Sequence, residues 1–136
     1  MAIRHTWMAL GALLLAGCVD NGGTRNVVQT GPTTLSAVQA TVFTPRCATS
    51  GCHQQGGPFG LDLSNGATFG TTVGVSAAEM PSLARVTPFD AANSYLYMKV
   101  AGDPRINGDV MPLNAPPLTT EQLRVIETWI NEGALP

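Results

Sequence analysis

Apolar positions are spread unevenly along this chain of 136 residues. A dense run near the start passes through Leu13, Leu14 and Leu15, and a regular stripe lies near the end. Short irregular groups lie between them. In the stripe, Leu123, Ile126 and Ile130 repeat at helical spacing, and Val125 and Trp129 widen it. Thr119 stands where a cap belongs, Gln122 takes the box position, and Leu118 can staple against Leu123. Gly133 supplies a left-handed stop. The pattern predicts a C-terminal helix whose stripe is core. Its expected target is a helix leading into Cys47.

That earlier helix has weaker signals. "SAVQ" at 36–39 has the form of a capping box, with Ser36 bonding forward and Gln39 reaching back. Val38 and Val42 fall on one face. Thr44 is a good N-cap and Pro45 suits a first turn, so a kink or restart is expected there. "NSYLYMKV" at 93–100 predicts a short helix with Leu96 and Val100 on one face. Residues 54–90 read as mostly loop, and "QQGGPFG" has too many glycines for regular structure. Residues 101–117 hold four prolines and read as loop again. No run of alternating strands appears. The expected class is all-α.

Composition narrows the partners. Charged residues make up 12% of the chain, the formal net charge is −2, and Lys99 is its one lysine. Without a basic patch or run, no nucleic-acid partner is expected. Gly and Pro are abundant and aromatics are 6%. A small domain of this kind usually needs a staple: disulfides, a metal or another embedded group.

The first run is a targeting signal rather than part of the fold. "MAIRHTWMALGALLLAGC" starts positive at Arg4, and its apolar run is too short to cross a bilayer. "LAGC" at 15–18 resembles the bacterial lipobox. The resemblance implies that 1–17 is a lipoprotein signal peptide and that Cys18 becomes the first mature residue, carrying diacylglycerol. Acyl chains contribute about 0.8 kcal/mol per buried methylene, so a multiply acylated Cys18 is a firm membrane anchor. Residues 18–34 then form the lipidated cysteine and a flexible polar tether, and 35–136 form the domain. The mature part carries six Lys/Arg against nine Asp/Glu, a net −3. It is expected on the periplasmic side of a bacterial membrane. Val19, where an Asp would favour the inner membrane, points to the outer one.

The chemistry concentrates in "CATSGCH" at 47–53. Two thiols at short spacing can add to the two vinyl groups of a haem, and a histidine directly after the second is then held beneath the iron. The gap here is four residues where the common motif has two, so a looped-out turn is needed, and Gly51 gives it freedom. A Cys47–Cys52 disulfide is also feasible outside the cytoplasm, but it leaves His53 and the small core unexplained. Zinc usually takes four ligands, and only three candidates cluster here. An iron used for electron transfer wants a second axial ligand. Met80, Met98 and Met111 remain after processing. Met111 lies in a loop, 58 positions after His53, and Pro112 stiffens the chain behind it. Met98 falls in the short helix, where core packing is the ordinary role.

Cys47, Cys52, His53, Met111-Pro112 and "TTEQLRVIETWINEGA" together resemble a class I c-type cytochrome domain over about residues 35–135. The resemblance implies a small all-α fold, with N- and C-terminal helices packed together and long loops wrapping one covalent haem c. It implies Cys47 and Cys52 as thioether sites, His53 as proximal ligand and Met111 as distal ligand. "LARVTPFDAANSYLYMKV" looks like a segment of small lipoprotein-type cytochrome domains. There, Arg85 and Tyr95 are candidates to bond haem propionates, with surface pairing and ordinary packing as the alternative for both. The implied function is single-electron transfer between redox protein partners, not enzymatic turnover. Two other classes stay open: a haem enzyme or gas sensor with a vacant distal site, and a non-haem lipoprotein stapled by Cys47–Cys52. The single histidine of the mature chain leaves no Ser/His/acid set for hydrolysis.

Overall fold

The computed structural model describes residues 32–136. The expected signal peptide, the lipidated Cys18 and most of the tether lie outside the described residues. Helix α1, Leu35–Val38, runs directly into a π-helical segment, Gln39–Cys47. The two make one N-terminal rod. Short helix α2, Thr68–Thr72, and 3-10 turns at Pro58–Gly60 and Ala91–Asn93 punctuate the middle. Helix α3 is Tyr95–Ala101 and helix α4 is Thr120–Asn131. Among the described residues there is no strand, only isolated bridges pairing Val73 with Val86 and Ser76 with Ala84. The fold is helical with long irregular connections.

The C-terminal helix forms as its pattern predicts. The Thr119 side chain accepts from the Gln122 amide, and the Gln122 side chain accepts from the Thr119 amide. Two orphan donors are thereby satisfied. Gly133 ends the helix at φ +108°, where the Phe89 ring would lie 2.8 Å from any added Cβ. Ile126, Trp129 and Ile130 are fully buried, while Leu123 and Val125 pack half-buried at the edge. Their target is the rod. Phe43 and Trp129 meet edge to face, with centroids 6.3 Å apart and planes at 82°.

The rod differs from expectation at both ends. The cap is Thr34, whose Oγ1 accepts from the Ala37 amide, rather than Ser36. Gln39 does not reach back. It is buried and donates to the Leu63 carbonyl at 2.7 Å, while its own oxygen accepts from Thr68 Oγ1 at 2.8 Å. A long polar side chain facing the core is better satisfied there than at a solvated helix end. Nor does the helix restart at Thr44. Pro45 lacks an N–H, and its ring would clash with the carbonyl four residues earlier in an α-helix. The chain widens to π geometry instead, and the Ala48 amide closes on the Phe43 carbonyl at 2.7 Å. This keeps Val38, Val42 and Phe43 on the buried face as the rod delivers Cys47.

Candidate functional site

The rod ends at Cys47, and the chain then loops out. The Cys52 amide donates to the Thr49 carbonyl at 2.9 Å, closing a turn in which Gly51 takes φ +79°. A side chain would be strained at that angle. The His53 amide then donates to the Cys47 carbonyl at 3.0 Å. The four intervening residues therefore form a closed excursion, and His53 returns to the end of the rod. Gly57 locks the next turn, since an added Cβ would come within 2.8 Å of the Cys52 and Gln54 carbonyl oxygens.

A cavity of about 420 Å³ opens beside this motif. That is within the usual range of a small-molecule or cofactor pocket, about 300–1,000 Å³. Cys47, Cys52 and His53 line it from the motif, and Met111 and Pro112 line it from the loop before α4. Phe43, Leu61, Leu63, Leu96 and Val100 make its surface mostly apolar. Met80 and Met98 are not among its lining residues. They pack in a second apolar cluster with Ala77 and Tyr95, where Met98 is fully buried.

The donors have distinct states. Cys47 is buried and Cys52 exposed, and the two are free thiols. Burial pushes the Cys47 thiol up to about 11, so it is protonated at neutral pH. Burial also lowers the His53 pKa, with a weaker opposite pull from the Leu61 backbone. The neutral imidazole is thus favoured, the form that ligates metals. His53 Nδ1 is buried without a hydrogen-bond partner among the described residues. Among the described residues, no group of three or more His, Cys, Asp or Glu side chains is gathered to hold a bare metal ion. Zinc usually takes four ligands, and no such set is gathered here among the described residues.

Arg85 and Tyr95 both line the cavity, but they are differently engaged. Arg85 is buried, and its guanidinium donates to the carbonyls of Phe59 at 2.6 Å, Thr71 at 2.7 Å and Gly60 at 3.1 Å. Of five guanidinium N–H groups, two remain free for a further acceptor. No carboxylate is among its partners, and burial lowers its pKa. The Tyr95 hydroxyl is already occupied, lying 3.2 Å from Glu79 Oε2 and 3.2 Å from both the carbonyl and the amide of Asn107. Of the two, Arg85 has capacity left for an anion.

Sequence reasoning assigned Lys99 no role at the site, yet it is only 7% exposed and its side chain lies in the cavity wall. Its Nζ meets Glu79 Oε2 at 3.0 Å and the Asn107 carbonyl at 2.9 Å. Its position one turn after Tyr95 on a short apolar helix was the available signal. No family model, curated protein or solved structure matches the chain.

Proposed function

We propose that this chain is a monohaem c-type cytochrome that carries single electrons between redox protein partners outside the cytoplasm. One observation carries the reading: Cys47, Cys52, His53 and Met111 converge on a single apolar cavity. Bound haem would supply a one-electron iron couple there. The thiols of Cys47 and Cys52 would each add across a vinyl group, sulfur and hydrogen going to its two carbons, so nothing is released. His53 would be the proximal ligand and Met111 the distal one. In this reading the small all-α domain is a cytochrome c-like fold, with the rod packed on α4 and loops wrapping the haem. Arg85 would offer its free N–H groups to a propionate, whereas Tyr95 serves the wall.

The residues suit that work. A thioether ligand is soft and favours the ferrous state, which raises the potential over harder ligand sets. Apolar burial acts in the same direction, because it penalises the extra charge of the ferric state. With His53 and Met111 both holding it, the iron would have nothing to bind or release as its charge changes. Met111 in the cavity lining favours this over a sensor or haem enzyme with a vacant distal site.

Partner docking would use the cavity mouth, where Phe59 and Leu113 are exposed. These two side chains are uncharged, in keeping with the low charge content of the chain. Lipid on Cys18 would hold the carrier at the periplasmic side of the membrane. The direct test is potentiometric titration of protein matured with haem. A reversible one-electron wave is expected, and a haem that binds ligands without such a wave would sink the carrier reading.

A further inference from the structure

We propose that Lys99 is a positioning residue for Met111, acting as a clip that fastens the Met111 loop to α3 at two points. The inference rests on the haem reading only for what Met111 does; the clip itself stands on the contacts. Residues between α3 and α4 contain no helix and four prolines, so their place depends on bonds to other segments. At the end of α3, four carbonyls lose their intrahelical partners. The carbonyl of Lys99 is one of them, and the Met111 amide donates to it at 2.9 Å. This bond joins the backbone of the proposed ligand residue directly to the helix.

The other end of Lys99 grips the same loop four residues earlier. Its Nζ donates to the Asn107 carbonyl at 2.9 Å and pairs with Glu79 at 3.0 Å. The Tyr95 ring lies 5.9 Å from the ammonium, and the Tyr95 hydroxyl bonds the Asn107 backbone. Asn107 Nδ2 donates to the Glu79 carbonyl at 2.7 Å. At Gly108 an added Cβ would stand 3.2 Å from Glu79 Oε1 and 3.6 Å from Lys99 Nζ, so the loop runs close over the ion pair. Burying the only lysine of a chain this poor in charge is costly, and its pairing with part-exposed Glu79 is weak evidence for added stability. Its better-attested use is to fix one geometry among several. Here the geometry fixed is that of residues 107–111 over the cavity.

The test uses haem-loaded protein and free imidazole as the competing ligand for the ferric iron. Lys99→Met and the charge-balanced pair Lys99→Met/Glu79→Gln are each compared with wild type. Loosening the loop is expected to lower the imidazole concentration for half-displacement of the thioether about tenfold, a shift of about 1.4 kcal/mol. Exchange of the Met111 amide hydrogen should accelerate at least as much, while the Ile130 amide in α4 stays as slow as in wild type. The double variant guards against Lys99→Met failing to fold, because it leaves no carboxylate without its cation. Variants that lose thermal stability but keep wild-type imidazole affinity and Met111 exchange would overturn the clip. If wild-type ferric protein has no sulfur ligand, the Met111 reading fails instead, and Met111 amide exchange alone judges the clip.

Discussion

Where the N-terminal rod meets α4, the contact is made by Val38, Val42, Phe43, Ile126, Trp129 and Ile130, all buried. Where residues 47–63 face the loop before α4, the side chains at hand are Cys47, His53 and Met111, with a cavity among them. The first region closes on itself with apolar side chains. The second is held by polar clips: Arg85 on the 59–60 carbonyls, Arg46 on the Pro116 carbonyl at 2.6 Å, and Lys99 on Asn107. The first region is packed shut, and the second keeps the space that the proposed haem would fill. A helix of 12 residues is marginal alone, so even the closed region depends on its neighbours.

The largest effect should come from removing the thiols. Cys47→Ala with Cys52→Ala is expected to abolish covalent haem and most of the helical circular dichroism, because the open region then loses its filling. Native-like helix content would break the comparison by making the closed region self-sufficient. Next is Trp129→Ala, which empties the closed region and should cost about 3–5 kcal/mol in denaturant unfolding of haem-loaded protein. A cost below about 1 kcal/mol would mean that this face is not the main packing seam.

Met111→Ala acts on the other side. In haem-loaded protein it should lower the reduction potential and open the iron to added ligands, with far less loss of stability than Trp129→Ala. An unchanged visible spectrum would remove Met111 from the ligand set. The smallest effect is expected from Thr119→Ala, which deletes the α4 cap and should cost about 1 kcal/mol, read as a shift in unfolding midpoint. Its redox potential should match that of wild type, since the cap lies outside the cavity lining.

What could be read from the chain follows the same division. The α4 stripe, the Thr119–Gln122 box and the Gly133 stop were legible because they are local signals with one outcome. The Ser36–Gln39 box was a local signal that lost to burial: Gln39 found better partners in Leu63 and Thr68, far along the chain. Pro45 marked a disturbance, but whether the helix would restart or widen depended on keeping Val42 and Phe43 on the core face. Among the site residues, the 47–53 spacing announced the motif, and Met111 stood out by its loop and proline. Lys99 and Glu79 were not legible as a pair, because twenty positions separate them and only the folded loop brings them together. Arg85 was identified by likeness of its segment, and its grip on three carbonyls is a product of tertiary structure.

The central claim is that "CATSGCH" attaches haem. It is tested most directly by a pyridine haemochrome spectrum, paired with intact mass, on protein expressed with a cytochrome c maturation system. A c-type spectrum and a chain heavier by one haem are expected. No haem and a mass lighter by two hydrogens would make Cys47 and Cys52 a disulfide, and the electron-carrier reading would fall with it.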